Sequence, residues 1–235
     1  MRTCPKCNVN VLDEDAKFCI ECGANLNVTS AALEEIPPKP VAQKKKSPIV
    51  LGRKSAVRNL KTGQSINLSK ICSNLDSVTI ALSWNCPNEF DVDLSAFLTD
   101  ENDEAVSEED FIFYNNPSHV SNCAEYVAVS DTEEKIELNL KDLPPEIAKI
   151  KLVLSINDED DLQQDFSEVS DITMKIMDSD KERLVYNLTE KFTSETAIII
   201  AEIYRKEDSW QCEAVSKGYE GGLVELCEIF GLEVQ

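Results

Sequence analysis

Four of the nine cysteines stand within the first 22 residues as two Cys-x-x-Cys pairs, Cys4/Cys7 and Cys19/Cys22, with eleven residues between the pairs. Each turn offers two thiolates at the separation a tetrahedral zinc ion requires, and two such turns close one four-sulfur shell. All four ligands then come from the protein, so no position remains for a reacting water and the zinc expected here is structural. On residues alone, two reduced cysteine pairs without metal are the alternative. The second place where residue type and spacing suggest chemistry is Phe90-Asp91-Val92-Asp93-Leu94-Ser95-Ala96. Alternation along an extended strand puts Phe90, Val92, Leu94 and Ala96 on one face and Asp91, Asp93 and Ser95 on the other. Like charges held so close repel unless a cation or a base lies between them. The pair reads equally as cation ligands or as two solvated carboxylates.

The remaining inventory offers little for catalysis. The one histidine, His119, falls in a loop, where it reads either as a ligand or, more simply, as an exposed imidazole without a role. There is no Gly-x-Ser-x-Gly elbow, and Gly218, Gly221 and Gly222 lack the spacing and the following Lys-Ser/Thr of a phosphate loop; they read as a turn into a last helix. The acidic run Asn157-Asp158-Glu159-Asp160-Asp161 lacks the sixth-position glycine and later glutamate of a calcium-binding EF-hand, and reads as a solvated loop. Cys72, Cys86, Cys123, Cys212 and Cys227 show no paired spacing and are expected as reduced, mostly buried thiols. Tyr204, Arg205 and Trp210 read as packing and sheet-edge residues. The chain is not expected to be an enzyme.

The elements that must position these residues are mostly strands. Period-two alternation marks 64–68, 78–84, 90–96, 111–114, 135–140, 149–156, 172–177, 183–188, 196–204 and 210–215, nine or ten strands in all. Helical spacing is convincing only from Gly222 to Phe230, with Gly231 as its C-terminal stop. Many short strands with one terminal helix predict a mainly β fold, a two-sheet antiparallel β-sandwich with a C-terminal helix, preceded by a small zinc ribbon. Three segments follow: the ribbon over 1–27, a linker rich in Pro and Lys over 28–54, and the sandwich over 55–235.

With 42% hydrophobic and 29% charged residues the composition is that of an ordinary globular protein. Its 44 acidic against 23 basic side chains give a net charge of -21, which repels phosphate backbones and anionic lipid. The imbalance is local: residues 39–61 carry eight basic side chains and no acidic one, whereas residues 62–235 carry twelve basic and 38 acidic. A basic strip beside an acidic domain suits solvation or docking onto it. No apolar run approaches the length of a membrane helix and no secretory signal stands at the start, so a cytoplasmic protein that does not span a membrane is expected. Nine cysteines then argue for metal ligands and buried thiols rather than disulfides.

Two resemblances add to this reading. Cys4 to Leu26, most recognisably Phe18-Cys19-Ile20-Glu21-Cys22-Gly23-Ala24, resembles the short zinc-ribbon module found at the amino end of many prokaryotic proteins. From about Ser55 to Leu232, the segments Phe90 to Leu98, Asp110-Phe111-Ile112-Phe113-Tyr114-Asn115-Asn116, Thr196 to Arg205 and Gly218 to Leu223 resemble the TerD family of tellurium-resistance and general stress proteins. That resemblance implies a calcium-binding β-sandwich, a role in tellurite and other chemical stress, and no established enzymatic activity. It implies a calcium site formed by Asp91, Asp93, Asn115, Asn116 and Glu134, to which the nearby Asp131 is added from its place just before Thr132-Glu133-Glu134. Two departures bear on that site: residues 117–130 contain no glycine and a single acid, Glu125, and the family's tryptophan-aspartate pair is here Trp84-Asn85. Fewer carboxylates predict weaker calcium binding. The partners expected are other proteins, including other stress-response proteins. The alternative is a nucleic-acid- or translation-associated adaptor that touches nucleic acid only through the ribbon and the basic linker.

Overall fold

The alternating segments find their partners across two sheets. In this computed structural model the described residues are 2–3, 10–11, 57–87, 89–157 and 163–232. The chain divides into two units, residues 1–50 and 51–235. In the first, Arg2–Thr3 (β1) pairs antiparallel with Asn10–Val11 (β2). Cys4, Cys7, Cys19 and Cys22, and the linker 28–54, lie outside the described residues.

Among the described residues the second unit holds twelve strands. They are Arg58–Leu60 (β3), Ser65–Asn67 (β4), Val78–Asn85 (β5), Val92–Thr99 (β6), Phe111–Ile112 (β7), Ala124–Ser130 (β8), Glu133–Leu138 (β9), Lys149–Ile156 (β10), Ser170–Asp178 (β11), Lys181–Asn187 (β12), Ala197–Lys206 (β13) and Ser209–Tyr219 (β14). One sheet runs β4-β14-β13-β10-β6-β7 and the other β3-β12-β11-β5-β9-β8. The sandwich has the two antiparallel sheets expected, with one short parallel pairing, β3 with β12, among the described strands. Val92, Leu94, Ala96 and Leu98 of β6 and Ile136 and Leu138 of β9 belong to the core between the sheets. Burying each such aliphatic side chain contributes about 1.5–3 kcal/mol.

The outer face of the first sheet is covered by Gly222–Ile229 (α2), the expected helix. Phe97, Val153 and Ile199 of that face pack on Leu226, Cys227 and Phe230, with the Phe97 and Phe230 rings 4.8 Å apart. Gly231, at φ +77°, ends the helix: its N–H donates to the Glu228 carbonyl and that of Leu232 to the Cys227 carbonyl at 2.8 Å, which satisfies carbonyls the helix leaves open.

Several expectations are corrected. β3 and β8 were not expected; β8 is an edge strand whose residues after Ala124 are largely exposed, so it lacks a full apolar face to signal it. Leu68–Ile71 (α1) is a helix too short for periodicity, started by the Asn67 side chain, which accepts from the Lys70 N–H at 3.0 Å. The strand expected over 111–114 stops at Ile112, because Phe113 and Asn116 close a turn, the Asn116 N–H donating to the Phe113 carbonyl. Gly218 lies inside β14, not in the turn before α2. A Cβ there would stand 2.5 Å from the Glu195 side chain, so close approach rather than a turn requires glycine.

Candidate functional site

The site begins at a free strand edge. β7 pairs with β6 only at Ala96 and Phe97, so from Val92 to Leu94 that side of β6 has no strand partner among the described residues. The Leu94 N–H, buried but without a strand partner, is taken by Glu134 of β9, whose Oε2 accepts it at 2.6 Å; the other oxygen accepts the Tyr126 hydroxyl at 2.5 Å. Glu134 shares the inward face of β9 with Ile136 and Leu138, and its carboxylate reaches across to the opposite sheet. Asp93 comes from the other face of β6, since Val92 and Leu94 on either side of it point into the core. The two carboxylates thus meet at the edge of β6 from opposite faces.

The cleft there has a volume of about 510 Å³ and is lined by Asp91, Asp93, Asp131 and Glu134, together with 89–90, Val92 and 128–130. None of the lining residues is basic. The side-chain amide of Asn157, just past the end of β10, donates to Asp93 and, at 3.2 Å, to Asp91. The Asn157 backbone N–H donates to the Asp91 carbonyl at 2.9 Å, which holds the amide in that bridging place.

Burial and uncompensated charge dominate the electrostatics. Burial pushes the Glu134 carboxyl up to about 7, with the Asp93 and Asp91 charges adding to it against the two hydrogen bonds it accepts. Asp93 is raised by burial and by Asp91, and the Asn157 amide offsets this in part. The Tyr126 hydroxyl is raised too, by burial first and then by Glu134. A cation in the cleft would relieve all three. The donors are carboxylate oxygens, which suit calcium or magnesium and not a soft metal. Among the described residues, no three His, Cys, Asp or Glu side chains stand close enough to hold one metal ion.

Of the residues expected to form a site, the structure gathers Asp91, Asp93, Asp131 and Glu134 and leaves Asn115 and Asn116 elsewhere. Asn116 lines a different cleft beside α2, where its amide donates to the Phe111 carbonyl at 2.7 Å; Asn115 is exposed in the same turn. Sequence reasoning missed Tyr126 and Asn157. Tyr126 pairs with Ile136 and so reaches Glu134 diagonally across two strands, a relation only the register reveals. Asn157, expected in a solvated loop, instead bridges the two aspartates.

His119 is also corrected. It is 4% exposed rather than open to solvent, with one ring nitrogen 3.0 Å from Asp110 Oδ1 and the other 2.8 Å from Ser121 Oγ. Asp110 Oδ2 accepts the Val106 and Ser107 N–H groups, so the histidine ties the segment around 119–123 to the turn at 106–110. The five cysteines of this unit are free thiols, four buried and Cys86 half-buried, as expected. Among the described residues no helix is long and apolar enough to cross a membrane.

Comparison with known proteins agrees with this architecture. The TerD domain family matches residues 57–230. General stress protein 16U of Bacillus subtilis (strain 168) is 34% identical over 189 residues, which is 75% of this chain and 98% of that protein. A tellurium resistance protein TerD of Serratia marcescens is 32% identical over 186 residues, 74% of this chain and 97% of that protein. The crystal structure of a homologue of telluride resistance protein (TerD) from Streptomyces coelicolor A3(2) superposes with a TM-score of 0.54 at 19% identity, covering 68% of this chain and all of that one. That likeness concerns the fold.

Proposed function

This chain belongs to the TerD family of tellurium-resistance and general stress proteins, and from that premise we propose that it works by binding rather than by turnover. Its sandwich takes calcium in the cleft at the free edge of β6 and recruits protein partners, while a structural zinc held by Cys4, Cys7, Cys19 and Cys22 folds the amino-terminal ribbon. The observation that carries the calcium assignment is the gathering of Asp91, Asp93, Asp131 and Glu134 around one cleft with no basic side chain in its lining. No three of these carboxylates stand close enough to share one ion as described, so Asp91, Asp93 and Glu134 would have to draw together around it, with Asp131 closing over it; Asn115 and Asn116 are not ligands in this reading. Bound calcium would supply positive charge to a cleft that otherwise holds mutually repelling carboxylates.

The test is a calorimetric titration of calcium into the full chain, freed of calcium by a selective chelator, beside Asp91→Asn and Asp93→Asn. Saturable binding weakened about tenfold or more in each variant supports the cleft. Absence of saturable binding, or binding unchanged in both variants, refutes the assignment.

A further inference from the structure

A second cleft, of about 710 Å³, shares no lining residue with the first. Phe111, Phe113 and Tyr114 form one wall and α2 the other, with Val224 at its surface. The Phe111 and Phe113 rings stack at 4.5 Å and Tyr114 stands edge-on to Phe113 at 5.4 Å. Tyr114 and Val224 are each 50% exposed, so two large apolar bodies face water across one groove. A contiguous apolar surface of this kind marks an interaction site.

Charge selects the occupant. The exposed Glu108 and Glu109 also line the groove, and neither 100–134 nor 218–235 contains a lysine or arginine. A second copy of this surface, an anionic membrane or a nucleic acid would bring negative charge to negative charge. A cationic segment would pair with the glutamates, lay its ammonium or guanidinium groups over the open aromatic faces, and bury aliphatic side chains against Phe113, Tyr114 and Val224. Strand addition is disfavoured, because the Phe111 carbonyl on the edge strand already accepts from Asn116.

We infer that the groove between β7 and α2 docks a cationic, aliphatic-bearing segment of a partner protein. This rests on the reading of the chain as a binding module and names the surface for its partner. The probe is a short fluorescent peptide of Lys-Leu-Pro repeats, titrated into the full chain by anisotropy, with Val224→Lys, Tyr114→Ala and Glu108→Lys/Glu109→Lys as variants. Glu101→Lys/Glu146→Lys, on exposed residues of a different cleft, is the charge control. The expected result is saturable binding that weakens about tenfold or more in the groove variants, survives in the control, and is absent when glutamate replaces lysine in the peptide.

Equal loss in the control would reduce the effect to bulk attraction, and binding unchanged in the groove variants would remove the site; either overturns the proposal. So would self-association, or capture by anionic vesicles, that depends on Val224 without the peptide. The same variants titrated with calcium separate the two readings: a groove variant that loses peptide but keeps calcium supports both. A wild type that binds calcium but not peptide leaves only the cleft.

Discussion

Two carboxylates on the same sandwich have been given opposite surroundings. Asp178, at the end of β11, is fully buried and accepts from the Ser73 N–H and hydroxyl, both at 2.6 Å, from Ser179, and from Arg183 at 2.9 Å. Burial alone would raise it, yet these donors and the guanidinium outweigh burial and hold it down at about 2. Glu134 is nearly as buried but has two neutral donors and two like charges beside it, and it rises to about 7. The same side-chain chemistry therefore serves two ends. A carboxylate supplied with every partner ties Ser73 to the β11–β12 hairpin, and one left short of positive charge is poised for a ligand that brings it.

The comparison breaks most visibly at Asp178. Asp178→Ala leaves the largely covered Arg183 guanidinium without its anion, and the expected cost is about 3–5 kcal/mol, read by denaturant unfolding. A loss under about 1 kcal/mol would mean the pair is ordinary surface electrostatics. Asp93→Asn should do the reverse: fold stability held or slightly raised as the repulsion from Asp91 is relieved, while calcium affinity falls about tenfold or more. A destabilised Asp93→Asn would make the cleft a structural feature like the Asp178 site.

Titration sharpens the contrast, because the two groups act with opposite sign. Glu134 has a folded value above its unfolded one, so its contribution is fully present below about 4.5 and is lost as pH rises through about 7. Asp178 has a folded value below its unfolded one, so its contribution is present above about 3.8 and is lost as pH falls toward 2. In chelator, the melting temperature of the sandwich should therefore rise by a few degrees on acidification from pH 7.5 to about 5, and Glu134→Gln should flatten that rise. Saturating calcium should reverse the slope; a wild-type melting temperature that does not rise on acidification would contradict the position assigned to Glu134. The smallest effect on the sandwich is expected from Cys4→Ser, which should release zinc, measured by metal analysis of the purified chain, and leave the melting of the large unit unchanged.

Much of this was legible from the chain itself. Alternation at Val78 to Trp84 and Lys149 to Ile156, and helical spacing at Gly222 to Phe230, mark elements whose apolar face is continuous, and those elements form within a residue or two of expectation. β8 and α1 lack such a face and gave no signal. The pairing of Asp91 with Asp93 follows from strand periodicity alone, and Glu134 was reached by resemblance. What periodicity could not supply is that Glu134 leaves its own sheet to cap the N–H of Leu94, that Tyr126 lies diagonal to it, that Asn157 returns beside Asp91, and that Asn116 lines the cleft beside α2 while Asn115 is exposed in the same turn. The sequence determines which residues face inward along each strand, because side-chain direction is a local property of an extended backbone. Tertiary structure alone decides where one strand ends before its neighbour, and that free edge of β6, whose Leu94 N–H falls to Glu134 rather than to a strand and whose cleft has no basic side chain in its lining, is what makes four separated acids into one cleft.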